Sequence, residues 1–316
     1  MKLLTPLIEQ RADPFIYKHT DGYYYFTASV PAYDRIEVRR ARTIADLASA
    51  RPVTVWTKPH EGPLSELVWA PEIHFNQGAW CIYFAAAPTR AIKDGLFQHR
   101  MWVISAKGEN PLESEWRLVG QMNTGLDSFC LDATTFTHKG VLYYVWAQKD
   151  PAIPGNSNLY IARMETPYKI VMPPVRLTYP EFDWETRGFS VNEGPAVLIR
   201  KGRIFLTYSA SATDENYCVG LLYADENADL LSPASWHKSK QPVFKTCYEH
   251  RVFGPGHNSF TVSEDGKTDI LVYHARTYTE IVGDPLWDPN RHTYVKSISW
   301  DDQGMPVFGT PSLAHC

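Results

Sequence analysis

The hairpin ADPFIYKHTDGYYYFTAS, Ala12 to Ser29, is the first of five related copies in this chain. The others read APEIHFNQGAWCIYFAAA, LDATTFTHKGVLYYVWAQ, NEGPAVLIRKGRIFLTYSAS and GPGHNSFTVSEDGKTDILVYHAR. Each is a short strand, a polar turn ending in Gly, and a second strand of β-branched and aromatic residues. The turn glycines Gly22, Gly78, Gly140, Gly202 and Gly266 stand 56, 62, 62 and 64 residues apart. A near-constant period along the whole chain marks a repeat architecture, in which each unit buries its apolar faces only against its neighbours. One more strand-like segment follows each hairpin: RIEVRRAR, HRMWVISAK, NLYIARM, YCVGLLYA and HTYVKSISW. VTVW and EWRLVG supply a fourth in the first two repeats, while the best helical candidate, ARTIADLAS, is short. About four strands per unit, repeated radially, make a propeller. The period exceeds the ~40–50 residues of WD40 and kelch units. The expected fold is therefore all-β: a five-bladed β-propeller with about four antiparallel strands per blade, one domain over residues 1–316. A pair of β-sandwiches is the alternative that five copies of one hairpin argue against.

Charge and composition narrow the function. A net charge of −4 provides no basic field for nucleic acid or an anionic membrane. Aromatics at 13% suit both strands and sugar-stacking surfaces. The five cysteines, Cys81, Cys130, Cys218, Cys247 and Cys316, form no CxxC pair, and their odd number fits free thiols in a reducing compartment. MKLLTPLIEQRADPF lacks the apolar core of a signal peptide, and no apolar run approaches a membrane span. These features predict a cytoplasmic protein, or one whose leader has been removed. No P-loop, GxSxG or HExxH is present, which removes the commonest rival enzyme classes.

In a propeller the innermost strand of every blade starts at one end of the central channel, so equivalent repeat positions converge there. Counting back from the turn glycines, Asp13, Glu193 and His257 stand nine residues before theirs and Asp132 eight before its own. In the second repeat the offset falls on Trp69 or Ala70, with Glu72 deeper. A strand-start Asp before Pro is ordinary turn chemistry when it occurs alone. Three acids at one repeat position instead predict a ring of like charges at the channel mouth, with one carboxyl pKa raised and another kept low. That division of roles is what glycoside hydrolysis needs: one carboxylic acid for the leaving oxygen and one carboxylate for water. Carboxyls on different blades would suit the wider separation, ~6.5–9.5 Å, of inverting enzymes.

At these residues the chain resembles glycoside hydrolase family 43, from about Arg11 to Pro311. The matching pieces are RADPFIY, VWAPEIH, LDATTF, VNEGPAV, GPGHNSF and DPNRHTYVKSISW. Within the family, VNEGPAV, YCVGLL and DPNRHT look most like the exo-acting 1,5-α-L-arabinofuranosidases. The resemblance implies a five-bladed propeller and hydrolysis with inversion. It also implies Asp13 as general base, Glu193 as general acid, and Asp132 as the acid that orients Glu193 and modulates its pKa. His257 matches a channel histidine that in many members touches a cation, often calcium, directly or through water, so a channel cation in a structural or pKa-tuning role is expected, with no cofactor required for the chemistry. Arg291 matches an arginine near the sugar pocket. Trp69 and Phe129 are further substrate-binding candidates, Trp69 as an apolar platform. Second strands return to the active mouth, so 30–34, 88–99, 149–156 and 211–216 should surround it.

The implied activity is release of L-arabinofuranose from α-1,5-linked arabino-oligosaccharides or arabinan. The alternatives are a β-xylosidase of the same family, a carbohydrate-binding propeller without catalysis, and a propeller phosphorylase. Arg39, Arg40 and Arg42 are expected on a solvated outer strand, and His74 as a packed strand residue.

Overall fold

The computed structural model describes residues 5–311. Five antiparallel sheets follow one another along the chain. Blade 1 holds β1 (Ala12–Lys18), β2 (Tyr24–Ser29), β3 (Arg35–Ala41) and β4 (Val53–Thr57). Blade 2 holds β5 (Glu66–Asn76), β6 (Ala79–Ala87), β7 (Arg100–Ala106) and β8 (Arg117–Gln121). Blade 3 holds β9 (Cys130–His138), β10 (Val141–Gln148) and β11 (Asn158–Thr166), with β12 (Lys169–Ile170) and β13 (Val175–Thr178) both paired to β11. Blade 4 holds β14 (Asn192–Arg200), β15 (Arg203–Ala210), β16 (Cys218–Asp225) and β17 (His237–Lys238). Blade 5 holds only β18 (Phe253–Val262), β19 (Asp269–Arg276) and β20 (His292–Ser297). The expected strand HTYVKSISW is split, because Ser299–Trp300 leaves the blade to pair with Pro306–Val307. The N-terminal segment fills the gap at the blade's edge: Leu7 N–H donates to the Thr293 carbonyl (2.8 Å) and Thr293 N–H to the Ile8 carbonyl (2.9 Å). ARTIADLAS forms only a single 3-10 turn, Ala45–Ala48.

The aromatic second strands pack between blades. Successive side chains on a strand point to opposite faces, and in β2 both faces are covered. Tyr24 and Phe26 join Ile270 and Val272 of blade 5, while Tyr25 faces Trp80 of blade 2 at 4.8 Å between rings. This accounts for an uninterrupted YYYF run where a half-exposed strand would alternate. Arg40 and Arg42 are not merely solvated, since their guanidinium groups lie 3.6 and 3.8 Å from the Tyr23 ring centre.

Each inner strand carries a bulge at the same level of the channel. The register to the second strand shifts beside Asp13, Ala70, Asp132, Gly194 and His257. All five residues lie in the left-handed region, with φ of 56°, 45°, 52°, 54° and 42°. A bulge re-aims a side chain and takes one amide out of the ladder. The freed amides are accepted by the preceding blade. Ala70 N–H donates to Ser29 Oγ (2.8 Å), Gly194 N–H to Asp132 Oδ2 (3.0 Å), His257 N–H to Ser209 Oγ (2.7 Å) and Asp13 N–H to His274 Nδ1 (3.0 Å). Prolines, which have no N–H to lose, follow the bulge residue at Pro14, Pro71 and Pro195.

The bulges also correct the count from the turn glycines. Blades 2 to 4 use two-residue turns, Gln77–Gly78, Lys139–Gly140 and Lys201–Gly202, with positive φ at both positions. The turns of blades 1 and 5 are longer. The equivalent of Asp13 in blade 4 is therefore Gly194, and Glu193 stands one residue earlier. Gly194 is needed there on two grounds. Its φ is left-handed, and a Cβ would lie 3.1 Å from His257 Cγ and 3.3 Å from His257 Cα. Gly194→Ala should lower unfolding stability by ~1–3 kcal/mol, read as a lower urea midpoint at unchanged m. An unmoved midpoint would show that the bulge tolerates a side chain.

Candidate active site

The bulges deliver Asp13, Asp132 and His257 to one point at the channel mouth. His257 Nδ1 lies 3.2 Å from Asp13 Oδ1 and 3.7 Å from Asp132 Oδ2. Glu193 stands beside them, and these residues line a pocket of about 140 Å³ with Arg291. Asp13 and Asp132 are buried, whereas Glu193 is partly exposed to the pocket.

Asp13 is held from several sides. Ser29 Oγ donates to its Oδ2 at 2.6 Å, and the same Ser29 oxygen accepts the Ala70 amide. Arg291 Nη1 lies 3.5 Å from Asp13 Oδ1 while its Nη2 donates to Tyr33 Oη at 3.0 Å. Burial by itself would raise the Asp13 carboxyl. At the low pH where Asp13 would take up a proton, the charges of protonated His257, then Arg291 and then His274 outweigh burial and hold the carboxyl well below the usual carboxylate range. The two imidazoles are themselves pushed down by burial, His274 to about 3. Near neutral pH the standing positive charge beside Asp13 is therefore the Arg291 guanidinium. His274 Nδ1 also lies 3.4 Å from Asp13 Oδ1. In the neutral ring that nitrogen accepts the Asp13 amide, so it has no proton to offer the carboxylate.

Glu193 and Asp132 have the opposite setting. Burial raises Glu193 to about 7; the Tyr217 hydrogen bond opposes this, the Asp13 charge adds to it and Arg291 opposes it. Asp132 is pushed well up by burial, then by the charges of Glu193 and Asp13, against the amide of Gly194. Glu193 and Asp132 repel one another as carboxylates, so the two do not ionise together. Asp132 reaches Glu193 through the amide of the next residue, Gly194. Below pH ~7 the site thus holds a carboxylate at Asp13 and a protonated carboxyl at Glu193, the combination general acid–base catalysis requires.

The pocket walls are apolar. Trp69 stacks on His99 (ring centres 3.8 Å apart, planes 22° apart) and meets Phe97 edge-on at 5.3 Å. His99 Nε2 donates to the Leu67 carbonyl at 2.9 Å, and burial pushes this imidazole down to about 3, leaving a neutral ring under the indole. Phe129 lines the same wall, and Ile92, Leu96, Phe189 and Leu286 extend the apolar surface. The expected mouth segments contribute Ile92, Gly95, Leu96 and Phe97, then Asn156, and Ser211 with Thr213. Tyr33, from 30–34, stands behind Arg291 and meets Trp69 edge-on at 6.0 Å. Arg291 is not paired with Asp288, which instead contacts Arg276 (3.5 Å) and accepts from Tyr278 Oη (2.9 Å).

Tyr217, Ser29 and His274 were missed from the sequence, whereas Phe97 falls within the expected mouth segment 88–99. Ser29 and His274 sit inside quoted repeats, on second strands, but nothing local marks them as neighbours of Asp13. His74 is a buried strand residue that also pairs with Glu72 Oε2 at 2.9 Å. The side chains around His257 do not by themselves supply a calcium cage. Calcium takes roughly six to eight oxygens, yet His257 turns Nδ1 toward two carboxylates. Among the described residues no group of three or more His, Cys, Asp or Glu could hold a metal.

The chain matches the model of "Glycosyl hydrolases family 43" over residues 4–306 and belongs to that family. It is therefore a glycoside hydrolase built on a five-bladed propeller. It is 54% identical, over 97% of its length, to "Extracellular exo-alpha-(1->5)-L-arabinofuranosidase" of Streptomyces avermitilis, and spans 63% of that protein. A protein of the same name from Streptomyces chartreusis is 49% identical over 89% of the chain, which covers 84% of it. The crystal structure of an α-L-arabinofuranosidase from Lactobacillus brevis superposes with a TM-score of 0.96 at 58% identity, covering 99% of this chain and 98% of that one.

The two names beginning "Extracellular" overturn the expectation of a cytoplasmic protein and point to secretion. The cysteine argument fails for a physical reason. Cys81, Cys130 and Cys218 are unpaired but buried, and burial raises their thiols, Cys81 to about 11 and Cys218 to about 12. A buried, protonated thiol is inert whatever the compartment. Cys247 is half-buried and also unpaired; Cys316 lies outside the described residues.

The charge arrangement makes a pH prediction. kcat/KM for glycoside cleavage should fall as pH rises through about 7, when Glu193 loses its proton. Asp13 should impose no acid limb in the ordinary range while Arg291 is present. In Arg291→Met the Asp13 carboxyl loses its fixed positive neighbour, its pKa rises, and an acid limb should enter the measurable range. A pH–rate profile of the variant with an unmoved acid limb would remove Arg291 from this role.

Proposed function

We propose that this chain is an inverting, exo-acting α-L-arabinofuranosidase that releases L-arabinofuranose from α-1,5-linked arabino-oligosaccharides or arabinan. The observation that carries the reading is the opposed electrostatic setting of two carboxyls in one pocket: Asp13 beside a buried guanidinium, Glu193 raised toward neutrality. The names of the Streptomyces relatives support the sugar, the linkage and the exo action.

In this mechanism Asp13 accepts a proton from the water that attacks the anomeric carbon. Glu193 gives its proton to the departing glycosidic oxygen on the opposite face as the C–O bond breaks. Asp132 accepts the amide of Gly194, which holds the backbone next to Glu193, and its repulsion with Glu193 keeps the two from ionising together. Trp69 and Phe129 present apolar surface to the ring, and Arg291 presents donors to its hydroxyls. His257 keeps the two Asp carboxyls apart.

The test is product stereochemistry. Arabinotriose followed by NMR should release arabinose first as the β anomer, with the sugar at the non-reducing end removed first. An initial α product would sink the mechanism, and faster turnover of xylobiose would move the enzyme to the xylosidases. Glu193→Ala should lower kcat on arabinobiose by about 10²–10⁴-fold.

A further inference from the structure

Tyr217 immediately precedes β16, is buried, and has no place in the scheme so far. Its hydroxyl donates to Glu193 Oε1 at 2.8 Å. Its ring lies parallel to His274, with centres 5.6 Å apart and planes 3° apart. His274 in turn accepts the Asp13 amide. Blade 5 makes room for the phenol with glycine: a Cβ on Gly256 would fall 2.4 Å from the Tyr217 ring. One aromatic pair therefore links the Glu193 carboxyl to the backbone of Asp13.

Resting on the assignment of Glu193 as general acid, we propose that Tyr217 is the positioning residue for that acid. By occupying Oε1 it leaves Oε2 as the oxygen that carries and delivers the proton. Through its stack on His274 it also sets the acid relative to the base. The proton balance is simple. The Oε2 proton passes to the leaving oxygen, Tyr217 keeps its own, and the Tyr217 hydrogen bond becomes charge-assisted as the carboxylate forms. Its stabilisation is thus larger in the transition state than in the ground state, the condition for acceleration. Burial and the charges of Glu193, Asp132 and Asp13 push the Tyr217 hydroxyl well above its ordinary range, so it remains a donor throughout. The charged groups facing Glu193 are Asp13 from β1, Asp132 from β9 and Arg291 from the segment before β20.

The experiment is Tyr217→Phe, which keeps the ring on His274 and removes only the hydroxyl. It is assayed on arabinobiose, whose leaving group needs a proton, and on 2,4-dinitrophenyl α-L-arabinofuranoside, whose leaving group does not. The expected result is a loss of about tenfold in kcat/KM on arabinobiose and at most about twofold on the dinitrophenyl substrate. The alkaline limb should also move up by about one pH unit, because the carboxylate has lost a donor. Neither the ratio of substrates nor the position of the limb depends on the folded fraction, so partial unfolding would not blur either one. Equal losses on both substrates, or an unmoved alkaline limb, would overturn the proposal. Glu193→Gln separates this failure from that of the parent reading. If Glu193→Gln cleaves arabinobiose like the wild type, the acid assignment itself is wrong. If it fails on arabinobiose while Tyr217→Phe does not, only the role of Tyr217 falls.

Discussion

The site depends on one backbone device: a left-handed bulge at the same level of all five inner strands, with its amide bound by the preceding blade wherever an acceptor side chain stands there. A regular strand would send Asp13, Asp132 and His257 alternately into the blade interfaces. The bulge turns them into the channel instead. Left-handed φ is costly for residues with a side chain, so the conformation must be over-determined by its surroundings. Ser29, Asp132, Ser209 and His274 supply that restraint at four of the five positions. Two of these restraining groups, Asp132 and His274, also shape the chemistry. Structural closure of the ring and placement of the acids are thus the same set of hydrogen bonds.

The same contacts explain how a crowded group of acids divides its protons. Asp13 lies beside the buried Arg291 guanidinium, and burial pushes the two neighbouring imidazoles toward the neutral form. Glu193 faces a phenol donor and an apolar pocket wall. Asp132 is left between two carboxyls with one amide as compensation. Each carboxyl's state is set by which blade contributes its nearest partner. That is a property of the ring rather than of any strand within it.

Much of the architecture is legible in the chain. Five hairpins at a steady period specify the blades, and the unbroken YYYF run is explained by burial on both faces of β2. The three acids were found by phase within the repeat, with one error of a single residue. Glu193 precedes the bulge, and Gly194 occupies it, because blades 2 to 4 have two-residue turns and blades 1 and 5 do not. The turn dipeptides Gln77–Gly78, Lys139–Gly140 and Lys201–Gly202 carry that information. The prolines at Pro14, Pro71 and Pro195 carry a second signal for the bulge itself. Tyr217 and His274 were not legible, since each is an ordinary aromatic in a strand-like segment. The residue that accepts the Asp13 amide lies 261 positions away.

The sequence by itself determined the number of blades, the level at which each chain segment meets the channel, and the presence of three carboxyls there. Periodicity, turn chemistry and alternation are local properties, readable within a repeat of roughly 60 residues. Only the tertiary structure decided which carboxyl stays ionised and which keeps its proton. Those outcomes follow from burial and from charges a few ångströms apart on different blades, and closure of the ring is what brings those groups together.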